Sequence, residues 1–333
     1  MDSDDFPAFL DRLDKSLHSK PTDSTDGITL DQDKIKAELI EFNHHNTHAS
    51  LNQRLTSFVK HKQSKLKTGL TPGRLAGFEA YPKFAQLQDM ATNGLRSFLK
   101  PDFQPNRGNG DFARTVQHQR LKHTIAQQLR KLQDNGRCII MPKVLVDGVD
   151  GVHVSALHQV CKESDTKGRP CTDMNHSGLN EGTDMEAITA YLGDFRLPQL
   201  RALSRMLARA QAKKHRLLHK TDVSSAFNTM LLSPEAALLQ MYQVGDMVII
   251  PLVAGFGWSA APAYYNVIAD AIDWAHNGGI PAEQLDTWAT ELGHAPSDRS
   301  DTLEDRSITY VDDSCGHSSS VSVKSDMGDL RTI

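Results

Sequence analysis

The chain has few cysteines and no long hydrophobic run. Four cysteines in 333 residues are too few and too scattered for a disulfide framework, which is typical of a reducing compartment. No apolar segment approaches the ~18–20 residues that a membrane-spanning helix needs, so we expect no membrane partner. Three of the first five residues are acidic, where a secretory signal is basic. These absences predict an intracellular protein, cytoplasmic or nuclear, that is not secreted.

The composition is that of a folded protein. Apolar residues make up 39% of the chain and charged residues 23%, which argues against disorder throughout and excludes collagen-like classes. The length suggests about two domains of roughly 100–200 residues each. Residues 101–111 contain two prolines and two glycines, so we expect a boundary there. We therefore divide the chain into a mainly helical region of unknown role, 1–105, and a second region, 106–333.

Charge is distributed very unevenly along the chain. Residues 51–140 carry 16 basic and 5 acidic side chains, and residues 196–220 carry 8 basic and none acidic. Residues 221–333 carry 4 basic and 16 acidic side chains. Basic segments of this size suit a polyanion such as nucleic acid, and solvated helix faces are the alternative for any single segment.

Hydrophobic spacing predicts helices in the first part of the chain, and both strands and helices after it. Ile35, Leu39 and Phe42 fall on one helical face, and residues 114–134 have the pattern of one helix that ends at Asn135-Gly136. Short β-branched segments then predict strands. The predicted strands are 138–141, 144–146 and 152–160.

A long basic helix is expected over 197–218. Its arginines Arg201, Arg205 and Arg209 lie on the outward face, opposite the leucines. They could follow the backbone of a nucleic-acid template, and a solvated helix face is the alternative of equal weight.

Two adjacent carboxylates stand at the end of a predicted strand. Residues 307–310 can extend as a strand, Asp312 and Asp313 follow, and residues 314–316 predict a turn. Neighbouring carboxylates repel each other unless a cation lies between them. Alone the pair is weak evidence, since a helix cap or a solvated turn explains it as well.

Two further segments precede this pair in a suggestive order. Asp222 follows the basic helix, is expected on a short strand, and is followed five residues later by Phe227. Residues 255–265 then form a glycine-rich approach to a predicted helix. Glycines let a ligand come close to the backbone, and a helix N-terminus favours anions.

This ordered set resembles the palm of retroelement reverse transcriptases. Their first palm motif resembles residues 222–227, their second resembles 257–265, and their third is the Tyr-x-Asp-Asp of residues 310–313. Upstream, residues 167–173 and the following Leu179-Asn180 resemble their fingers motif.

The resemblance covers about residues 114–325 and implies an α+β fold. We expect fingers and a palm with a small antiparallel sheet backed by helices, in which Asp222 and Asp312/Asp313 lie on adjacent strands. It also implies RNA-directed DNA polymerase activity, with two Mg²⁺ or Mn²⁺ ions as cofactors. Asp222 and Asp312 would bridge the metals, supported by Asp313.

The same resemblance assigns roles to residues that touch the substrates. The implied substrates are an RNA template, a DNA primer and deoxynucleoside triphosphates. Arg169 would contact the triphosphate, with Lys162 and Lys167 as further candidates. Phe227 would exclude a ribose 2′-hydroxyl. The remaining assignments are Phe256 and Gly257 in the nucleotide pocket and Tyr310 and Val311 near the primer terminus.

The chain also departs from the family's pattern. Gly255 stands where many relatives have proline, and residues 277–306 look like an acidic surface insertion. Only twenty residues follow Asp313, which leaves no room for a later palm lysine, thumb or RNase H domain. We therefore expect a truncated copy or a piece of a larger polyprotein, and whether the chain is an active enzyme stays open.

Three other functions remain as alternatives. A catalytically inactive remnant could bind nucleic acid through its basic segments. A viral RNA-dependent RNA polymerase is less consistent with Tyr-Val-Asp-Asp and with Phe227, which would clash with ribonucleotides. The third is a non-enzymatic interaction protein built around residues 1–105.

Overall fold

The structure is a computed structural model of the 333-residue chain. It describes residues 31–45, 49–66, 69–105, 119–147, 149–160, 169–194, 204–205, 208, 211, 217–223, 225–281, 283–284, 287, 306–310 and 313–318. These residues form α-helices and two β-sheets, so the protein belongs to the α+β class. No helix within these ranges is both long enough and apolar enough to cross a membrane.

The described residues fall into two compact units, each built from separate stretches of chain. The first unit takes its residues from Met1–Lys67, Leu95–Asp184 and Leu232–Ser259. The second takes them from Thr68–Gly94, Met185–Leu231 and Ala260–Ile333. The stretch Leu95–Asp184 runs through the boundary that the sequence suggests near residue 105.

Within the described residues, the first unit combines five α-helices with a five-stranded sheet. Its helices are α1 (Gln32–His44), α2 (Leu51–Ser64), α4 (Gln119–Asp134), α5 (Leu179–Gly182) and α7 (Pro234–Leu239). Its strands are β1 (Cys138–Pro142), β2 (Val154–Val160), β3 (Arg169–Asp173), β5 (Met241–Val244) and β6 (Met247–Pro251).

Helices α1 and α2 each begin directly after a residue whose side chain caps the helix. The Asp31 side chain accepts a hydrogen bond from the Lys34 backbone N–H, and Ser50 and Gln53 form a reciprocal capping box. Helix α1 buries Ile35, Leu39 and Phe42, so the apolar face that the sequence predicts is confirmed.

The sheet of the first unit has the order β1-β6-β5-β2-β3. All neighbours are antiparallel except β2 and β5, which are parallel. Strand β3 lies at one edge, paired with β2 from Ala156↔Asp173 to Val160↔Arg169. The opposite edge is β1, where the Glu38 carboxylate accepts a hydrogen bond of 3.0 Å from the Ile140 backbone N–H.

Two of the three strands predicted in this region are present. They correspond to β1 and β2, but the strand predicted over 144–146 is wrong, because Lys143–Leu145 forms a single turn of 3₁₀ helix. The Val146 backbone N–H bonds the Lys143 carbonyl within this turn. A three-residue apolar run is too short to determine a strand when a turn can satisfy its backbone locally.

The second unit packs helices against a three-stranded sheet. Its helices are α3 (Phe84–Asn93), α6 (Met185–Leu192) and α8 (Ala261–Trp274), and its strands are β4 (Leu217–Asp222), β7 (Arg306–Tyr310) and β8 (Asp313–Ser318). Helix α8 packs against strand β7 and against α3 and α6. Its buried side chains include Tyr264, Tyr265 and Val267.

This sheet has the order β4-β8-β7, with both pairs antiparallel. Two predictions are wrong here. Residues 217–218 belong to β4 rather than to the end of the basic helix, and residues 314–316 belong to β8 rather than to a turn. The small polar residues of β8 have low strand propensity, but pairing with a strand on each side satisfies their backbone groups.

Candidate functional site

Two aspartates of the second unit meet at one end of its sheet. Asp222 is the last residue of β4 and Asp313 is the first residue of β8. The register pairs these two residues directly, and it also pairs Asp313 with Tyr310, the last residue of β7. Three residues of the candidate motifs therefore form one row across three neighbouring strands.

The row has a simple geometric consequence. Residues directly opposed in antiparallel strands share one face of the sheet, and their Cα atoms lie about 4.5–5.5 Å apart. Asp222 and Asp313 are therefore close neighbours although 90 residues separate them in sequence.

A tight turn follows Asp222. Ser225 has φ +57° and is the non-glycine residue with positive φ among those described. Residues 226–229 then form a 3₁₀ turn, from which the half-buried Phe227 contacts Tyr265 edge to face with 5.9 Å between ring centroids. The turn thus holds the Phe227 ring against the buried face of α8.

The first unit contains the glycine loop that precedes α8. The Phe256 carbonyl accepts a hydrogen bond of 3.1 Å from the Thr172 backbone N–H in β3. Gly257 has φ +117°, and a Cβ atom placed there would lie 2.0 Å from the Thr172 carbonyl oxygen. Both the backbone angle and the close approach therefore require glycine at this position. The Phe256 side chain remains 44% exposed.

The side-chain amide of Asn180 bonds the same loop from a second direction. Its Nδ2 donates to the Gly257 carbonyl at 2.8 Å, and its Oδ1 accepts from the Ser259 backbone N–H at 2.9 Å. Because one loop group is only an acceptor and the other only a donor, the orientation of the amide is determined. Nδ2 also donates to the Asn175 side chain at 2.6 Å.

A compact turn places Asn180 next to β3. The Asp173 carboxylate accepts from the His176 backbone N–H, and the Asn180 backbone N–H bonds the Met174 carbonyl at 3.0 Å. Gly178 has φ +83°, which lets the chain reverse into helix α5. Strand β3, this turn and the glycine loop therefore form one hydrogen-bonded assembly within the first unit.

Strand β3 of this assembly also contains a cysteine, Cys171. Burial, with a smaller contribution from Asp173, raises the pKa of the Cys171 thiol. A higher pKa makes the thiol a weaker nucleophile, because the thiolate is the reactive form.

The sequence-predicted site residues are thus placed as follows. Arg169 begins β3 in the first unit, with Phe256 and Gly257 in the loop beside the same strand. Asp222, Phe227, Tyr310 and Asp313 belong to the second unit, and Arg205 is a helical, exposed residue. The remaining predicted residues lie outside the described part of the chain: Lys162, Lys167, Arg201, Arg209, Val311 and Asp312.

The aromatic residues of the second motif divide into two groups. Trp258, Tyr264 and Tyr265 are buried, so these three side chains belong to the core. Phe256 is the aromatic residue of this segment that solvent reaches.

Compared with known proteins, the chain matches no family model and no curated sequence. What the site does must therefore be inferred from the residues and their geometry.

Sequence reasoning missed the part that Asn180 plays in the loop. In the sequence, this residue is notable only as part of the Leu179-Asn180 pair that follows the fingers-like motif. Its two hydrogen bonds to residues 257 and 259 span more than seventy residues, and no local pattern encodes such a contact.

Proposed function

We propose that this chain is the fingers and palm portion of a retroelement reverse transcriptase, an RNA-directed DNA polymerase. The observation that carries the proposal is the row of Asp222, Asp313 and Tyr310 across β4, β8 and β7. An Asp-Asp pair in a turn is common and needs no special explanation. An aspartate from a distant strand placed directly opposite such a pair concentrates negative charge, and binding of divalent cations would explain this arrangement.

The donor set suits hard divalent cations. Asp222 and Asp313 offer carboxylate oxygens, which Mg²⁺ and Mn²⁺ prefer, and Asp312 adds a third carboxylate in the adjoining sequence. When bound, two such ions activate the attacking primer 3′-hydroxyl and stabilise the leaving pyrophosphate. The three aspartates would hold the ions, and we assign them no proton-transfer role.

The first unit supplies candidates for binding the deoxynucleoside triphosphate. Arg169 stands at the start of β3, and guanidinium groups bind phosphate through paired donors. Lys162 and Lys167 precede it and would add positive charge for the same triphosphate. Phe256 offers an exposed ring on the loop that Gly257 joins to β3.

In the second unit, Phe227 would select the sugar. Its ring is fixed by the edge-to-face contact with Tyr265, so it cannot easily move aside for a 2′-hydroxyl. A fixed ring at this position favours deoxynucleotides over ribonucleotides, which distinguishes this function from that of an RNA-dependent RNA polymerase.

The nucleic-acid partners are an RNA template and a DNA primer. Arg201, Arg205 and Arg209 have the spacing to follow a phosphate backbone, and Arg205 is exposed. Tyr310 lies in the row beside Asp313 and Val311 follows it in sequence, and by the resemblance both would lie near the primer terminus.

Primer extension on an RNA template with Mg²⁺ tests the proposal. We expect the full chain to extend a DNA primer, and Asp222→Asn, Asp312→Asn or Asp313→Asn to lower the rate about 100-fold or more. Asp246→Asn, an exposed aspartate in the β5–β6 turn, is the matched control and should retain activity. Extension that survives all three substitutions contradicts the proposal.

The uneven charge favours a second candidate, a nucleic-acid-binding protein without catalysis. In that case the folded chain binds RNA or DNA with an affinity that falls steeply with salt, yet shows no extension with Mg²⁺. The extension assay and a salt titration of binding, performed on the same preparation, separate the two candidates.

A further inference from the structure

We propose that Asn180 is a positioning residue that holds the loop of residues 256–259 in its nucleotide-binding conformation. The proposal rests on the proposed polymerase function and adds to it a residue that contacts the loop rather than the nucleotide. Asn180 lies in α5, and its amide bonds both the Gly257 carbonyl and the Ser259 backbone N–H.

The loop needs such a restraint because its conformation is unusual. Gly257 has φ +117°, in a backbone region that glycine alone adopts readily, and glycine loses the most conformational freedom when it is fixed. The Thr172 backbone N–H holds the Phe256 carbonyl on one side. The Asn180 amide holds the following two peptide groups on the other, so the loop is fixed at three consecutive positions.

The restraint determines where Phe256 is presented. Its carbonyl is hydrogen-bonded to β3, and the carbonyl of the next residue is hydrogen-bonded to the Asn180 side chain. The backbone that carries the exposed Phe256 ring is therefore held in one position. A preorganised loop loses less entropy when a ligand binds than a loop that must first be ordered. We call the hydrogen bonds from the Asn180 side chain to Gly257 and Ser259 the clamp. Its loss should therefore weaken nucleotide binding more than it slows the chemical step.

The hydrogen bonds, rather than the volume of the side chain, carry this role. Two of the three bonds of the Asn180 side chain use Nδ2 as the donor, to Gly257 and to Asn175. Aspartate has the same shape but, when ionised, only accepts hydrogen bonds. Asn180→Asp should consequently behave like Asn180→Ala, whereas a space-filling role would be retained by aspartate.

The test is steady-state primer extension on an RNA template with varied deoxynucleotide concentration, using the full chain. We expect Asn180→Ala and Asn180→Asp to raise KM for the nucleotide about tenfold while kcat changes less than about twofold. Asn52→Ala is the matched control, because Asn52 in the same unit also donates its amide to a backbone carbonyl, that of Asp150. An unchanged KM in both Asn180 variants, or an equal loss confined to kcat, overturns the proposal.

Amide hydrogen exchange gives a second readout that does not depend on turnover. We expect the peptide covering residues 253–260 to exchange faster in both Asn180 variants, with exchange elsewhere unchanged as a check of folding. If the wild type extends no primer, the proposed function fails by itself. In that case the clamp is tested by measuring whether Mg²⁺, primer–template and deoxynucleotide together slow amide hydrogen exchange in this peptide. Protection that the variants lose supports the clamp, and no protection in the wild type overturns it.

Discussion

Gly257 lies against Thr172 so closely that a Cβ atom would stand 2.0 Å from the threonine carbonyl oxygen. The contact joins a loop to the edge strand β3, and the Thr172 backbone N–H also bonds Phe256 at 3.1 Å. Because the obstructing atom belongs to the backbone of a strand, it cannot move aside as a flexible side chain can. The position of the loop therefore depends on a glycine.

Gly257→Ala tests this dependence. We expect the substitution to displace the loop, to lower the free energy of unfolding by about 1–3 kcal/mol, and to reduce primer extension about tenfold or more. Thermal unfolding and the extension assay measure the two effects.

Gly255→Ala is the control for Gly257→Ala. A Cβ atom at Gly255 would meet no atom within 4 Å, and its φ lies outside the left-handed region. We expect both its stability and its activity to stay close to those of the wild type. Equal behaviour of the two alanine variants contradicts the role assigned to the loop.

The Phe227 ring provides a test of sugar selection. Phe227→Ala removes the ring that contacts Tyr265 edge to face, so we expect discrimination against ribonucleotides to fall about 10–100-fold. The ratio of kcat/KM for deoxynucleotide and ribonucleotide measures it. Phe227→Tyr keeps the ring and should keep the discrimination. If Phe227→Ala leaves the ratio unchanged, another residue selects the sugar.

His153 predicts a pH dependence of stability in the first unit. The residue is fully buried and bonds the Ser177 hydroxyl at 2.9 Å, and burial lowers its pKa from 6.5 to about 4. Between these two values the unfolded chain binds a proton that the folded chain does not. The free energy of unfolding therefore falls as pH is lowered through this window, by up to about 3 kcal/mol from this group.

Removal of the titrating group should weaken that dependence. His153→Gln retains a side chain that can bond Ser177 but cannot titrate. We expect urea unfolding to show a smaller loss of stability between about pH 7 and about pH 4 for the variant than for the wild type. Parallel curves for the two proteins would show that His153 does not contribute.

Glu38 stabilises β1, the buried edge strand of the five-stranded sheet. Its carboxylate accepts from the Ile140 backbone N–H on β1 and pairs with Lys62 at 3.6 Å. Glu38→Ala leaves a buried N–H without its acceptor, so we expect a loss of about 1–3 kcal/mol in urea unfolding. Glu38→Gln keeps an acceptor and should lose less. An alanine variant as stable as the glutamine variant contradicts this role.

Local sequence patterns predicted those elements that are determined by hydrophobic spacing or by helix-ending residues. The spacing of Ile35, Leu39 and Phe42 determines the buried face of α1, and Asn135-Gly136 ends α4 where expected. Asp222 stands at the end of a strand, as its position after the basic segment suggested.

The elements of the three-stranded sheet that were predicted wrongly are determined by pairing between strands that are distant in sequence. Residues 314–316 look like a turn, but pairing with Lys220 and Ile308 on either side of Cys315 makes them the central strand of the sheet. The hydrogen bonds from Asn180 to the glycine loop are equally non-local. Composition within a short window contains no information about either contact.

The central claim is that the aspartates of two distant segments form one cation site. Fe²⁺ in place of Mg²⁺, with ascorbate and peroxide, generates radicals that cleave the backbone beside a bound ion. We expect cleavage near residue 222 and near residues 310–313 together, suppressed by excess Mg²⁺ and lost from both places in Asp222→Asn. Cleavage at one segment alone, or in the second segment undiminished by Asp222→Asn, would contradict a shared site.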